Sequence, residues 1–216
     1  MLPQNNTTVE RELPAWLPSG TTIEVVRIPR GPQLLTPEVM PAYRSHCLQL
    51  AQAFAEDRID VVAYSCTAAS FLLGPEVERE LGSELEKVTS KPVVTIARAV
   101  VGSLSRLGVT RIGVVSPYTD SVNERLREML SEAGISVVAI NTFTARDVTQ
   151  LSQISALDVL RLSRRTMTDD CEALCIACAQ LPTLGVTDTL ASEFCRPVVS
   201  SLQSLASELS MVVGAR

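Results

Sequence analysis

Strand-like and helix-like segments alternate along all 216 residues, and this alternation is the strongest constraint on the fold. Apolar runs of strand length, such as IDVVAYSC at 59–66, are typical of strands buried on both faces of a sheet. Helical segments of roughly 10–15 residues separate them, which predicts βαβ units, parallel sheets and an α/β protein. The predicted strands are 23–28, 59–66, 93–97, 111–116, 135–140, 173–178 and 197–200, and the predicted helices are 37–56, 74–87, 99–107, 120–133, 155–169, 187–194 and 202–212.

The composition excludes several classes of protein. Hydrophobic residues make up 46% and charged residues 20% of the chain, which is a globular rather than a disordered balance. No apolar run reaches the roughly 18 residues needed to span a bilayer, and the first residues lack the pattern of a signal peptide. The net charge of −5 argues against nucleic-acid binding. We therefore expect a soluble, cytoplasmic protein that binds neither nucleic acid nor a membrane.

Two of the six cysteines, Cys66 and Cys178, end predicted strands and are each followed by a small polar turn and then a helix. Without a secretory signal, reduced thiols are expected rather than disulfides. Ligands of parallel sheets bind at the carboxyl ends of strands, so two similar α/β lobes would place these cysteines at one cleft. The following helix N-termini are expected to lower the thiol pKa from about 8.5 toward neutrality and to receive carboxylates.

The remaining cysteines and the single histidine carry less functional signal. Three cysteines are expected to be small buried hydrophobic residues: Cys47, Cys171 and Cys195. Cys175 lies in a predicted strand three positions before Cys178, so the two should face opposite sides of the sheet, and no second CxxC is present. We therefore predict no metal site. His46 lies in mid-helix, which argues against Cys–His or Ser–His hydrolase chemistry.

Polar residues also follow other predicted strand ends. Tyr118, after Ser116 and Pro117, either contacts a ligand or caps a turn, and Asn5 and Asn6 allow the same two interpretations. No P-loop and no GxGxxG motif after a strand is present, so the sequence gives no support for a nucleotide cofactor.

Five motifs occur in order along essentially the whole chain. They are PQNNTTVE at 3–10, AYSCTAASFL at 63–72, SPYTD at 116–120 with NE at 123–124, ALCIACAQL at 173–181, and PVVSS at 197–201. In this combination the chain resembles the maleate cis-trans isomerases, which belong to the aspartate/glutamate racemase superfamily together with arylmalonate decarboxylase.

The resemblance implies a homodimeric, cofactor-independent enzyme of two flavodoxin-like lobes with pseudo-twofold symmetry and the active site in the cleft between them. We assign residues 1–96 plus 198–216 to the first lobe and 97–197 to the second. The resemblance makes Cys66 the nucleophile or first acid/base and Cys178 its partner on the opposite side of the substrate. It implies these residues for binding substrate carboxylates: Asn6, Thr67, Ala68, Ser116, Tyr118 and Ala179.

The expected reaction is isomerisation of a cis-enedioate such as maleate to fumarate. Arylmalonate decarboxylase keeps only the second of the two cysteines, so Cys66 favours isomerase or racemase chemistry. The alternatives are an amino-acid racemase of the aspartate/glutamate type, a decarboxylase of a substituted malonate, and a ligand-binding relative without activity. The substrate is accordingly expected to be a small dicarboxylate or an amino acid.

The chain departs from the pattern of these isomerases at two places. They usually carry another asparagine at a position where this chain has Val148, beside Asp147. They also have a full strand before the PxxN turn, of which only Met1 and Leu2 are present here. If the protein starts at Met1, the first sheet is expected to be incomplete beside Asn6; if it starts upstream, the missing strand is expected there.

Overall fold

The computed structural model describes residues 1–55 and 58–214, and within them lie eight strands and nine α-helices. The strands are β1 (Leu2–Pro3), β2 (Arg27–Ile28), β3 (Val62–Tyr64), β4 (Val93–Thr95), β5 (Arg111–Ser116), β6 (Ser136–Thr142), β7 (Ala173–Ile176) and β8 (Val198–Ser200). The helices are α1 (Thr8–Glu12), α2 (Met40–Ala51), α3 (Thr67–Thr89), α4 (Ile96–Arg106), α5 (Asp120–Glu132), α6 (Val148–Ser152), α7 (Ala156–Thr166), α8 (Val186–Phe194) and α9 (Ser201–Gly214). In the described part of the chain no helix is long and apolar enough to cross a membrane.

The strands form two parallel sheets with the same order. The second sheet runs β6-β5-β7-β8. In the first, β1 pairs with β2 and β3 pairs with β4, and Met1 joins the two pairs: its nitrogen donates to Ala63 O at 2.7 Å and its carbonyl accepts from Ser65 N at 2.8 Å. The resulting order β2-β1-β3-β4 repeats that of the second sheet and is the flavodoxin-like arrangement. The predicted fold class is thereby confirmed.

The central strands of the second sheet show how apolar runs produce this fold. All four residues of β7 are buried, as are the five residues of β5 that follow Arg111, because helices cover both faces of the sheet. The edge strand β6 is partly exposed instead. A capping box between Ser155 and Asp158 starts α7, which packs on β5 and β6.

Helices α4 and α9, each following the last strand of one sheet, join the two halves. They pack against each other, and each also contacts the last strand of the other sheet. Helix α9 buries Leu202, Leu205 and Leu209 in a cluster that includes Leu2 and Val94 of the first lobe. The lobe boundaries 1–96 with 198–216 and 97–197 stay a prediction, and residues 215 and 216 lie outside the described residues.

Several element boundaries differ from the sequence-based expectation. The predicted strands 59–66 and 173–178 end at Tyr64 and Ile176, so both cysteines lie in loops beyond the strand ends rather than within strands. Strand 23–28 pairs only at its last two residues. The predicted helix 37–56 begins and ends as short 3-10 helices around α2, and its residue 56 lies outside the described residues. Helices α1 and α6 were not predicted.

Helix α3 consists of two helical segments joined at Gly74, which has φ +73° and ψ 166°. This backbone conformation is nearly restricted to glycine. Pro75 then opens the second segment, where its fixed φ suits a first helical position. The sequence predicted only this second segment, from residue 74. The first segment, which starts directly after Cys66, is the one at the cleft between the lobes.

Replacing Gly74 by alanine should lower the free energy of unfolding by about 1–3 kcal/mol, because a Cβ strains this backbone conformation even though open space surrounds it. Urea denaturation followed by circular dichroism measures the change. Gly31→Ala is the matched control, since Gly31 also has open space and no positive φ. Equal stability of the two variants would contradict the assignment of strain to residue 74.

Candidate active site

A cavity lies between the two lobes, where the carboxyl ends of strands from both sheets meet. It contains about 520 Å³ of empty space, part of it open to solvent. Both Cys66 and Cys178 line it, although they are 112 residues apart in the chain (178 minus 66). Of the six residues expected to bind carboxylates, five lie in its wall: Asn6, Thr67, Ala68, Tyr118 and Ala179.

Cys66 occupies the position just before α3 and is 2% exposed. The first backbone N–H groups of a helix have no partner within the helix, so those of Thr67 and Ala68 are available at the cavity wall. The first helical bond of this segment runs from Ser70 N to Cys66 O at 3.0 Å. The thiol therefore lies beside uncommitted donors that suit an anion.

Burial raises the pKa of the Cys66 thiol above its ordinary value. Three groups oppose this effect without cancelling it: the Tyr43 hydroxyl, the Ala69 N–H and the positive charge of Arg30. The sequence-based expectation of a pKa lowered toward neutrality is therefore wrong for the cavity without a ligand. Removing the thiolate from water costs more than the helix N-terminus returns.

Cys178 lies in the loop after β7 and is 7% exposed. Gln180 N donates a hydrogen bond to its Sγ at 3.4 Å. Burial raises the pKa of this thiol as well, against opposing contributions from Gln180 N–H, the Tyr118 hydroxyl and Leu181 N–H, while Cys66 raises it further. The last effect means that the two thiols are close enough for a negative charge on one to disfavour a charge on the other.

Tyr118 is 8% exposed, and its ring packs edge-on against Phe71 with centroids 6.3 Å apart. Its buried hydroxyl has no hydrogen-bond partner of ordinary geometry among the described residues. Burial raises the pKa of Tyr118, and the Cys178 and Cys66 thiols add to that effect. The side chain therefore stays neutral and can donate a hydrogen bond into the cavity.

Ser116 is the one predicted site residue that the structure does not bring to the cavity wall. It is fully buried, and its Oγ donates to Asn123 Oδ1 at 2.7 Å. Asn123 in turn donates from Nδ2 to Tyr118 O at 3.2 Å. The pair shapes the turn that carries Tyr118, so Ser116 is a positioning residue in this structure. The contact between Ser116 and a substrate carboxylate stays a prediction.

Asn6 is 2% exposed, and its side-chain oxygen caps α1 by accepting from Thr8 N at 3.0 Å and Val9 N at 3.2 Å. Asn6 therefore forms the turn and also lines the cavity, where its contact with a ligand stays a prediction. The carbonyl of Asn6 accepts from Arg27 at 3.0 Å, which fixes the turn from the side of β2. With its oxygen engaged, the amide NH₂ is the group that Asn6 can offer to a ligand.

The Cys178 loop is tied to the first lobe at several points. Thr8 Oγ1 donates to Gln180 O at 3.0 Å, and Ala179 N donates to Thr67 Oγ1 at 3.3 Å. The Ala179 N–H, expected to bind a carboxylate, is thus already used within the protein. These bonds set the position of the second cysteine relative to the first.

Glu12 makes the strongest of these connections. Its side chain is 5% exposed, and Oε2 accepts from Thr183 N at 2.8 Å and Leu184 N at 3.0 Å, in the segment that leads from Cys178 to α8. Hydrogen bonds to a charged, buried acceptor are about twice as strong as neutral ones. Glu12 is a positioning residue that holds the loops of the two lobes together.

Three residues of the site were missed by sequence reasoning, namely Glu12, Arg30 and Tyr43. Tyr43 follows the apolar periodicity of its helix and therefore has the pattern of a core residue. Arg30 and Glu12 belong to short charged segments typical of exposed loops and turns. No local signal distinguishes a buried charged residue from an exposed one, because its partners are distant in sequence.

The other cysteines do not line the cavity. Cys47, Cys171 and Cys175 are buried, as expected, and burial raises the pKa of Cys175 to about 12. The expectation for Cys195 is wrong: it is exposed, because it caps the C-terminal end of α8 in the left-handed conformation, with φ +51°. No cluster of three or more His, Cys, Asp or Glu residues that could hold a metal occurs in residues 1–55 and 58–214.

Val148, one of the two places where the chain departs from the isomerase pattern, is buried at the start of α6 and does not line the cavity. Its backbone N–H donates to Pro32 O at 3.1 Å. On this side the cavity wall is formed by Leu34, Leu35 and Leu151 instead.

Comparisons with known proteins agree with this architecture. Residues 34–214 match the family model described as arylmalonate decarboxylase. The chain belongs to the arylmalonate decarboxylase family. The maleate isomerase of Nocardia farcinica is 29% identical over 213 residues, which cover 93% of this chain and 83% of the relative. The arylmalonate decarboxylase of Bordetella bronchiseptica is 26% identical over 169 residues, which cover 77% of this chain and 70% of the relative. The resemblance stated from the five motifs is confirmed.

Solved structures of such enzymes share the fold. The maleate isomerase Iso of Pseudomonas putida S16 superposes with a TM-score of 0.90 at 23% identity, covering 99% of this chain and 90% of the other. The Nocardia farcinica maleate cis-trans isomerase bound to TRIS gives a TM-score of 0.91 at 24% identity with the same coverage. At this identity the likeness establishes the two-lobe fold and nothing further.

Replacing Glu12 by alanine should lower the free energy of unfolding by roughly 2–3 kcal/mol, because two buried N–H groups lose a charged acceptor. Glu12→Gln should cost less, since an amide oxygen can still accept. Thermal or urea denaturation measures both. Glu208→Ala is the control: Glu208 pairs with Arg106 on the surface, and its loss should change stability by less than about 0.5 kcal/mol.

The raised pKa of Cys66 predicts how its alkylation depends on pH. The thiolate is the reactive form, and its fraction grows as the pH rises through the pKa, so the rate should still increase above pH about 8.5, the ordinary thiol value. Iodoacetamide labelling with peptide mass spectrometry measures this, with exposed Cys195 as internal reference. A rate for Cys66 that levels off near neutral pH would show that its pKa is lowered instead.

Proposed function

We propose that the protein is a cofactor-independent cis-trans isomerase of a small dicarboxylate, of the maleate-to-fumarate type, with Cys66 and Cys178 as its catalytic residues. The observation that carries the proposal is the presence of two thiols in one cavity, each delivered by a different lobe. Around them lie hydrogen-bond donors and apolar side chains.

The relatives support this assignment. Proteins described as maleate isomerases align with 93–94% of this chain, from Nocardia farcinica at 29% identity and from Geobacillus stearothermophilus at 23%. A structure of the Nocardia farcinica enzyme, in a cysteine-to-serine mutant, contains a covalently bound succinylcysteine intermediate. Thiol addition to a four-carbon diacid is thus a reaction of a relative with the same fold.

In the first step the Cys66 thiol releases its proton to solvent, and the resulting thiolate attacks one carbon of the double bond and forms a C–S bond. The π electron pair moves to the neighbouring carbon and its carboxylate, giving an enolate, and the Cys178 thiol can deliver a proton to that carbon to give a succinyl thioether. The bond between the two central carbons is then single and rotates. Rotation separates the two carboxylates, which repel each other in the cis isomer.

In the second step Cys178, now a thiolate, takes back the proton and the carbon–carbon double bond forms again. The C–S bond breaks, and its electron pair returns to the sulfur of Cys66 as the trans product leaves. Every proton and electron is returned, so the reaction needs no added oxidant or reductant. The protein supplies a nucleophile, a proton donor and a binding site for the developing charge.

The donors at the cavity wall suit the charge that develops on the substrate. The N–H groups of Thr67 and Ala68 lie at the start of α3, beside the attacking sulfur, and the Tyr118 hydroxyl interacts with Cys178. The NH₂ group of Asn6 is free to reach the same space. Such fixed donors stabilise an enolate without reorganising during the reaction.

An amino-acid racemase is the second candidate, because two thiols in one cavity can also remove and return a proton on opposite sides of a Cα. The two reactions differ in an observable product. Incubation in heavy water introduces deuterium at the Cα of aspartate or glutamate only if the protein is a racemase. Maleate, aspartate and an arylmalonate, assayed side by side without added cofactor, separate isomerisation from racemisation and from decarboxylation.

The central prediction concerns the two cysteines separately. Cys66→Ser should lower the rate of fumarate formation from maleate by about 1,000-fold or more, since the nucleophile is lost. Cys178→Ser should also lower turnover strongly but leave Cys66 able to add, so an adduct with the mass of one maleate should accumulate on the peptide containing Cys66. Absorbance or NMR follows turnover, and mass spectrometry detects the adduct.

Cys195→Ser is the matched control, because Cys195 is exposed and lies outside the cavity, and it should retain full activity. Full activity of either cavity variant would remove that thiol from the mechanism. An adduct on Cys178 in the Cys66→Ser protein, with none on Cys66 in the other variant, would reverse the two roles.

A further inference from the structure

Arg30 differs from every other residue that lines the cavity. It follows β2 by two positions, so it lies at the carboxyl edge of the first sheet. Among the described residues of the cavity wall it carries the one permanent positive charge, and none of them is Asp or Glu. A cation in an apolar wall without a carboxylate partner is costly for the empty protein and favourable for a bound anion.

The guanidinium of Arg30 is only partly used by the protein. One terminal nitrogen donates to Gln33 O at 2.6 Å, which fixes the direction of the side chain. Its Nε is buried and has no hydrogen-bond partner among the described residues. A planar guanidinium whose buried Nε–H has no partner can donate parallel hydrogen bonds to the two oxygens of a carboxylate.

Arg30 lies on the Cys66 side of the cavity. Burial raises the pKa of that thiol, and the charge of Arg30 is one of the effects that oppose the rise. The charge therefore acts at the position where the nucleophile meets the substrate, while Tyr118 interacts with the opposite thiol.

The loop that carries Arg30 is anchored on the opposite lobe. Gln33 forms an isolated antiparallel bridge with Asp147, and Val148 N donates to Pro32 O at 3.1 Å. The neighbouring Leu34 lies in the cavity wall as well. Contacts across the cleft thus fix the loop that holds Arg30 at the cavity wall.

We propose that Arg30 binds one carboxylate of the substrate and makes the site selective for dianions over monoanions. This inference rests on the proposed function and names the group that distinguishes a diacid from its monoamide or monoester. The helix N-terminus at Cys66 and the donors near Cys178 are left for the second carboxylate. A neutral amide in place of the first carboxylate gives the Arg30 charge no compensating anion and leaves its buried Nε–H with a neutral partner at most.

The first test uses the chemistry of Cys66 and needs no turnover. Iodoacetate, which carries a carboxylate, and neutral iodoacetamide both alkylate a thiol. In the wild-type protein the ratio of iodoacetate to iodoacetamide rates should be at least about 10-fold higher at Cys66 than at exposed Cys195. In Arg30→Gln this excess should disappear. Arg165→Gln, which removes an exposed charge from α7, should keep it.

The second test compares maleate with its monoamide as substrates. Arg30→Gln should raise KM for maleate by about 10- to 100-fold and change kcat much less. KM for the monoamide should change little in the same variant. Arg30→Lys keeps the charge without the planar fork and should recover only part of the preference for the dianion. This second variant also keeps the test valid if Arg30→Gln does not fold.

The outcomes separate this inference from the proposed function. If maleate is converted but the alkylation ratio and the preference for the dianion are unchanged in Arg30→Gln, the role of Arg30 is wrong and the isomerase assignment stands. If maleate is not converted but the alkylation ratio still depends on Arg30, the carboxylate site stands and the reaction must be sought among other anionic substrates. A wild-type ratio at Cys66 no higher than at Cys195 overturns the inference without any variant.

Discussion

The cavity depends on hydrogen bonds that cross from the first lobe to the loop after β7. Glu12 accepts from Thr183 and Leu184, and Thr8 donates to Gln180 in the same loop. These contacts fix the Cys178 loop against helices α1 and α3, so the distance between the two thiols is set by interactions between lobes rather than within either one. A two-thiol site built in this way requires both lobes to be folded and packed.

The second constraint is electrostatic. The cavity is mostly apolar, and burial raises the pKa of both thiols, so the resting site favours neutral groups. A thiolate formed in such a place is poorly solvated and therefore reactive, and a dianionic substrate can enter only where fixed donors replace water. Arg30, the α3 N-terminus and Tyr118 are arranged around the space as such donors. The same burial that disfavours charge thus makes the few charged contacts effective.

Sequence reasoning was accurate where the determinants are local. The strands β5 and β7 follow from apolar runs, and the two cysteines were located at strand ends to within two residues. It failed where a role depends on distant partners. Glu12 belongs to a charged run typical of the surface and is nevertheless buried by contacts with residues more than 170 positions away.

The sequence by itself determined an α/β chain of parallel sheets with two cysteines at strand ends, because hydrophobic periodicity and strand length are properties of neighbouring residues. The tertiary structure decided which side chains share the cavity, that Cys195 is exposed, that Val148 does not line the cavity, and that Arg30 does. It also decided the direction of the thiol pKa shifts, since desolvation outweighed the hydrogen bonds donated to the two thiols. The solvent exposure of a side chain and the electrostatic environment that shifts its pKa depend on all surrounding atoms, and those atoms come together only when the two lobes pack.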